Sequence, residues 1–523
     1  MQHAHLLAAL LACLPLLAVI RPSRLAAPAV QLVLGLLALT ALIGLAVPPH
    51  TWHAVSIASA GNPHAFSLGV AVDRLSMTMA AFIAAIGLIV VRYASHYLQG
   101  EASRPRFIGY LGLILTAALV QVVSPGLVQF ALAWTVVSIG LTRLLMYYPQ
   151  RPGAVLAARN KTLVSRLGDT AMLGAIVAAG LGLGTTDLGE MGAVLAAGSA
   201  TSATSALTMV TVFLSIAVLC KTALLPFQHW LVGTIEAPTP LSALMHAGVV
   251  NAGGYLVIRF SNLYAAAPAG LELLLVFGLV SAALAPLVMW AQTDLKRSLA
   301  WSTVGQMGFM AVQCGIGAFG AAFLHLIGHG FYKANAFLRS GTLLGMVEPE
   351  VAPRPFLLSV VAWVIGLALG GVVLVATYGA LGFPPERLHG GWTLIAVQAL
   401  AVAQMLATPT PGRLATVVRG GLVVVSSAVY AALTVAAEWW LAPVTALVAA
   451  PAHRGAIGLI LAVAVPAILA VLSLVWIALP SASSRPVLRA WRVHAGNGLY
   501  LAQISEKVVQ WCWPRGRGQE PRR

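Results

Sequence analysis

The chain has 523 residues, of which 59% are hydrophobic and 8% charged, against about 25% charged in an average soluble protein. A soluble globule is excluded, because the apolar residues gather in runs of about 20, long enough to cross roughly 30 Å of hydrocarbon. The net charge of +16 does not point to nucleic acid: most basic residues are scattered through short polar gaps, where loop charge and topology explain them.

In chain order the runs cover about 6–20, 28–47, 68–91, 107–123, 126–147, 163–183, 205–234, 241–260, 268–290, 295–314, 318–346, 356–381, 391–407, 414–440 and 455–479. Backbone groups in lipid must pair within their own segment, so spans this rich in Leu, Ala and Gly read as helices; barrel strands would be half as long and alternating. The expected fold class is an all-α polytopic membrane protein with about 15 transmembrane helices. The first run, Leu6 to Ile20, has no basic residue before it and no small-residue cleavage site after it, and reads as a retained span rather than a signal peptide.

Lysine and arginine positions test this count. With the N-terminus outside, 24 of the 30 fall in inside gaps or the tail, while Arg74, Arg259, Arg387 and Arg454 fall in outside gaps and Lys221 and Lys333 inside apolar runs. The asymmetry predicts a multi-pass inner-membrane protein with a periplasmic N-terminus and a cytoplasmic C-terminus. The four cysteines, Cys13, Cys220, Cys314 and Cys512, stand far apart without a CxxC pair, so neither a thiolate metal site nor a disulfide framework is signalled.

A lysine at mid-bilayer costs roughly 2.5–3.5 kcal/mol on insertion scales, so Lys221 and Lys333 need a reason to be there. Lys221 lies in LCKTALLPFQHW, where Pro226 interrupts the helix and frees a backbone carbonyl. Interrupted helices at membrane depth line aqueous cavities or ion sites; the alternative is a structural lysine plugged onto the freed carbonyls. His325, His329 and Lys333 follow in HLIGHGFYK at i, i+4 and i+8, advancing only about 40° per step, so they form one stripe on a helix. Histidine exchanges protons near neutral pH, and desolvation brings a lysine toward that range, so such a stripe can relay protons. The i, i+4 histidines also have metal-pair spacing, but no acid lies near them, and no metal or cofactor is expected in this chain. His246 follows EAPTPLSALMHAG, in which Pro238 and Pro240 break the chain and Glu236 is the acid of that region. If their helices are neighbours, Glu236, Lys221, His246, His325, His329 and Lys333 make a polar row through the bilayer.

These residues carry a specific resemblance. The segment Lys221–Phe260 is similar to the lysine-bearing broken helix and the EGPTPVSALIHAA stretch of the antiporter-like subunits of respiratory complex I and Mrp sodium/proton antiporters. Asp294–Leu343 resembles the DIKRxLAYSTxSQ and HLxxHAxFKAxLF stretches of the same family, and KTLVSRLGD (Lys161–Asp169) gives a weaker third match. The resemblance spans about residues 65–440 and implies two inverted five-helix repeats with broken helices. It casts Lys221 as the central lysine of the first half-channel, with His246, His325, His329 and Lys333 as the connecting relay and Lys296 nearby. It implies a division into N-terminal transmembrane helices (1–64), an antiporter-like core (65–440), a C-terminal transmembrane helix (441–480) and a basic cytoplasmic tail (481–523).

The chain departs from the family at two points. Thr135 in FALAWTVVS stands where the family places the acid that partners the lysine, so Lys221 is expected to lack a charged counter-ion, and GALGFPPERLHG has no lysine where the second broken helix carries one. Within the family, the short basic C-terminus and segments such as LLMYYPQRPGAVLAARNKTLVSRLGD resemble the DabB membrane subunits of inorganic-carbon uptake complexes. That resemblance implies conduction of cations, protons first, to energise a soluble DabA-type zinc partner resembling a carbonic anhydrase. A respiratory or Mrp-type proton-translocating subunit and a non-conducting membrane anchor are the alternatives. No nucleophile–base set or phosphate loop suggests catalysis by this chain itself.

In the tail, Tyr500, Ile504, Val508 and Trp511 recur at i, i+4, i+8 and i+11. That spacing predicts an amphipathic helix lying on the inner membrane face or against a soluble partner, stopped by Pro514 and the glycines after it. A basic tail held only by anionic lipid is the alternative.

Overall fold

The computed structural model describes residues 2–19, 26–59, 62–197, 204–341, 355–410, 412–445, 456–478 and 486–513. Helices α1 (Gln2–Val19) and α2 (Ala26–Gly44) lead into a hairpin of β1 (His50–Ser59) and β2 (Asn62–Val72). There follow α3 (Arg74–Tyr97), α4 (Arg104–Val122), α5 (Leu127–Leu145), the long α6 (Pro152–Leu183), the short α7 (Leu188–Ala196) and α8 (Thr204–Lys221). After the break at Lys221 come α9 (His229–Val232), α10 (Thr239–Ala247), α11 (Ala252–Arg259), α12 (Ser261–Ala266), α13 (Ala269–Trp290), α14 (Leu295–Gly315) and α15 (Phe319–Leu338). The second half holds α16 (Phe356–Ala380), α17 (Gly391–Ala407), α18 (Arg413–Thr445) and α19 (Ala456–Ala478), and the tail holds α20 (Pro486–Gly496) and α21 (Leu501–Cys512).

Each of the fifteen apolar runs holds a helix, and among the described residues ten helical stretches, with α10 and α11 (Thr239–Arg259) counted as one, are long and apolar enough to cross a membrane. A large apolar core joins α1 through α15, and a second one packs α16 to α19 against α13, α14 and the start of α15. Outward faces of α16 and α18 carry Leu357, Val364, Val372, Leu414, Val417 and Val425, all exposed, as expected of surfaces solvated by lipid.

Two boundaries differ from the sequence reading. The run at 68–91 is two elements: residues 68–72 are the end of β2, and α3 starts only at Arg74. Asp73 ends the strand by forming a capping box, its carboxylate accepting the Ser76 N–H at 2.8 Å while the Ser76 hydroxyl accepts the Asp73 N–H at 3.0 Å. A lone hairpin is marginal in water; this one is held to the helical body by Gln129, whose side-chain amide pairs with both the N–H and the carbonyl of Gly69. The second difference is α6, which begins at Pro152 rather than near 163, with proline in the first helical turn, where its missing N–H costs nothing. Arg159, Lys161 and Arg166 therefore ride on a helix, and Lys161 is buried rather than lying in a polar gap.

The molecule has two distinguishable faces. One carries the hairpin, α7 and the buried pair of Arg259 with Asp73. The other carries the N-termini of α6 and α14 and the tail helices: Gln292 donates to the Ala495 carbonyl at 3.2 Å, and Ser505 on α21 donates to Asn160 on α6 at 2.6 Å.

Candidate functional site

Lys221 ends α8, where Ala223 takes a left-handed φ of 54° and the helix stops. The freed carbonyls find partners: Cys220 accepts from the Trp230 indole at 2.9 Å, and Leu219 from the Leu224 N–H at 3.1 Å. The Lys221 ammonium is buried. It donates to the Trp134 carbonyl and the Ser138 hydroxyl, both at 3.1 Å, and lies 4.4 Å from the centre of the Trp134 ring. Charge on this lysine is thus met by dipoles and a ring face rather than by a touching carboxylate.

An acid does reach this pocket, from a different helix than the family pattern leads one to expect. The Thr135 hydroxyl donates to Asp169 of α6 at 3.3 Å, and Asp169 pairs with Arg166 at 3.0 Å. Asp169 acts electrostatically on both Lys221 and Lys161. Among the described residues Lys221 thus has no touching carboxylate, and the acid beside its pocket is Asp169 of α6, met by the Thr135 hydroxyl. Lys161, also buried, bonds the Ser165 hydroxyl and sits 4.9 Å from the centre of the Trp230 ring. Lys161, Ser165 and Asp169 are spaced i, i+4, i+8, the same spacing as the histidine stripe, and that repeat was the signal available in the sequence.

Glu236 is not part of the bilayer row. Its carboxylate accepts the Ala154 N–H at 3.2 Å in the first turn of α6, a position favoured by the helix dipole. There it lines a polar cavity of about 380 Å³ at the tail face, together with Asn160, His229, Arg297 and Glu506. This cavity reaches Asn160, the chain neighbour of the buried Lys161.

The second cluster forms on α10, α14 and α15. His246 shares a hydrogen bond with the Thr303 hydroxyl at 3.0 Å and stacks on Phe337 at 4.2 Å. Lys333 is fully buried and donates to the Leu299 carbonyl at 3.0 Å. His325 meets the Gln313 side chain at 2.9 Å, and its ring centre is 5.9 Å from that of His329. Both His329 ring nitrogens are buried without a hydrogen-bond partner among the described residues. Gly330 lets α15 come this close to α3 and α10: an added Cβ would lie 2.3 Å from the Phe82 ring and 2.8 Å from the Ala247 carbonyl.

The structure thus joins His246, His325, His329 and Lys333 in one cluster and sets Lys221 with Lys161 and Asp169 in another. Lys296 stands outside both, in the first turn of α14 at the tail face, one turn before the carbonyl that holds Lys333. Ser138, Lys161, Asp169, Thr303 and Gln313 are the site residues that reasoning from sequence passed over.

The tail residues occupy the tail face. Val509 is buried, whereas Ile504, Val508 and Trp511 are 62%, 47% and 84% exposed. Tyr500 lies just before α21 in a left-handed conformation, its hydroxyl 3.2 Å from His494, and is also exposed. Arg492 lies over the Trp290 ring at 5.0 Å and Arg159 near that of Trp513 at 5.9 Å. The segment from 486 to 513 is accordingly docked on the body, with its apolar stripe turned outward; Ser481 to Arg485 and the basic end from Pro514 lie outside the described residues.

The family model for "NADH:quinone oxidoreductase/Mrp antiporter, TM" matches residues 124–408, and that for the complex I chain 5 N-terminus matches residues 58–108. The chain is 33% identical to the "Probable inorganic carbon transporter subunit DabB2" of Halothiobacillus neapolitanus over 87% of its own length and 83% of that protein's. It is 36% identical to the corresponding DabB of Hydrogenovibrio crunogenus, over 52% of each chain. NADH-quinone oxidoreductase subunit L of Mycobacterium tuberculosis is 32% identical over 61% of this chain and 49% of its own. Among solved structures, one of the Mrp complex from Dietzia sp. DQ12-45-1b matches 98% of this chain and 60% of the compared chain, with a TM-score of 0.62 and 23% identity, a likeness of fold.

Proposed function

The chain belongs to the NADH:quinone oxidoreductase/Mrp antiporter family of membrane proteins, among its DabB-type inorganic-carbon transporter subunits, and from that premise we propose that it conducts protons to energise a soluble partner that traps inorganic carbon. The observation that carries this reading is the setting of its two cluster lysines. Lys221 and Lys333 are held by carbonyls, a hydroxyl and a ring face, so neither ammonium is locked in a contact ion pair that would resist giving up its proton.

In this account the tail-face cavity admits protons to Lys161 and Lys221, and the His246–His325–His329–Lys333 cluster forms the second exchange site. Ser138 and Thr303 supply hydroxyls at the two sites, and Asp169 offsets the charge of the first. The partner, a DabA-type zinc subunit in this proposal, docks on the outward stripe of α21, beside the entrance at Glu236 and Glu506. A C-terminus on the cytoplasmic side follows from the distribution of basic residues and puts entrance and partner in one compartment.

The test is inorganic-carbon uptake by cells that carry the assembled complex. Lys333→Met is expected to abolish uptake while the complex remains in the membrane, and Lys333→Arg to fail as well, because guanidinium keeps its proton. Normal uptake by Lys333→Met would overturn the proposal.

A further inference from the structure

The family's second half-channel ends in a lysine that this chain lacks: α16 stops at Ala380, and the segment from there to the start of α17 at Gly391 carries none. Beyond it, a row of polar side chains continues from the histidine cluster toward the hairpin face along α18. Tyr430, Thr434 and Glu438 are spaced i, i+4, i+8 and so share one face of that helix.

The connections are short. His325 meets Gln313 at 2.9 Å, and Gln313 in turn meets the Tyr430 phenol. Tyr378 is fully buried between them and Glu438; its hydroxyl donates to Gln398 at 3.0 Å and contacts Thr434. At the far end the buried Glu438 carboxylate lies 2.6 Å from the His389 ring and accepts the Gly320 N–H at 3.2 Å in the first turn of α15. Room for that carboxylate depends on glycine: a Cβ at residue 320 would lie 2.7 Å from it. The Glu438 side chain is 3% exposed and that of His389 21%, so the pair runs from the interior to the surface. This end of α18 is fixed at the hairpin face, because Trp440 donates to Thr78 at 3.0 Å and stacks with Arg74 at 5.2 Å, both at the start of α3.

We infer that His389 and Glu438 form the hairpin-face port of the proton path, standing in for the missing lysine and reached from His325 along the Tyr430–Thr434–Tyr378 hydroxyls. A carboxylate at this depth is costly to bury and is held here by His389 and the Gly320 N–H. For transfer outward, the Glu438 carboxylic acid gives its proton to the facing nitrogen of the neutral His389 ring, leaving a carboxylate and an imidazolium. The imidazolium gives the proton of its other nitrogen to bulk water, Glu438 takes a proton that leaves the His325 cluster and is handed on by water along the hydroxyl row, and the His389 ring returns to its starting tautomer by proton exchange with water. No charge remains after the cycle. Gln313 is a positioning residue that holds Tyr430 and His325 at the junction.

The inference rests on the conduction proposed above, and the experiment separates the two. The complete complex, with its partner, is reconstituted in vesicles carrying a pH gradient, and proton flux is read with an entrapped pH dye. Glu438→Gln and His389→Gln are each expected to lower flux at least tenfold with the partner still bound, and Glu438→Asp to keep at least a third of it, an outcome that lost packing would not give. Wild-type flux in both Gln variants, with Lys333→Met still blocked, would overturn the port and leave conduction standing. Wild-type vesicles no leakier than protein-free ones would overturn conduction, and the port with it. If Glu438→Gln does not assemble, His389→Gln decides by the same two outcomes, because its ring is partly exposed.

Discussion

Asp169 is the one carboxylate that acts on both buried lysines of the first cluster. It balances Arg166 by contact and acts on Lys161 and Lys221 from slightly further away. Removing its charge with Asp169→Asn leaves three cations facing one another, and each pK unit of altered protonation is worth about tenfold in population. Proton flux in reconstituted vesicles should therefore fall by about tenfold or more, and Thr135→Glu in the Asp169→Asn background should restore part of it by supplying a carboxylate from α5. An Asp169→Asn variant that conducts normally would remove this residue from the path. Gly330 makes a purely steric counterpart. Gly330→Ala drives a methyl group into the Phe82 ring and the Ala247 carbonyl, which should cost about 1–3 kcal/mol as overpacking and lower the melting temperature in detergent.

At the scale of the element, α21 is the clearest case of a helix whose two sides do different work. Val509 and Ser505 fasten it to α6, while Ile504 and Val508 face away. Ile504→Asp with Val508→Asp should thus leave the membrane body inserted and nearly as stable as wild type, since exposed substitutions usually fall within about 0.5 kcal/mol, but should release the soluble partner on purification, even in high salt. Retention of partner by the double variant would return the segment to the role of a lipid anchor. Truncating the tail is a poorer probe, because Trp491 and Leu499 pack on the main core.

Helices like these were readable because apolar length is a direct physical requirement of the bilayer. The hairpin was not, since the apolar end of β2 (Leu68–Val72) runs straight into the apolar turns of α3 and only Asp73 marks the join. Lys161 looked like a loop residue because Arg159 and Arg166 flank it, and sequence does not show that those two point outward while Lys161 points in. His325, His329 and Lys333 were legible as a stripe; the same spacing at Lys161, Ser165 and Asp169, and again at Tyr430, Thr434 and Glu438, went unread because hydroxyls and single acids are common in helices and acquire meaning only when a neighbouring helix brings them to a titratable partner.

Over the whole molecule, the polar groups form two clusters, one beside the tail-face cavity at Glu236 and the other running toward the hairpin face. The two faces should lie on opposite sides of the membrane. An impermeant maleimide added to intact cells is expected to label Ser56→Cys on the exposed edge of β1 and to leave Cys512 of α21 unlabelled until the membrane is opened; the reverse pattern would invert the orientation. The central claim is that protons cross through the buried lysines. Its most direct test is proton flux through the purified complex in vesicles, comparing wild type with Lys221→Met and Lys333→Met: the account predicts conduction by wild type and a fall to about a tenth or less in each variant with the complex intact, whereas undiminished flux in both variants would contradict it.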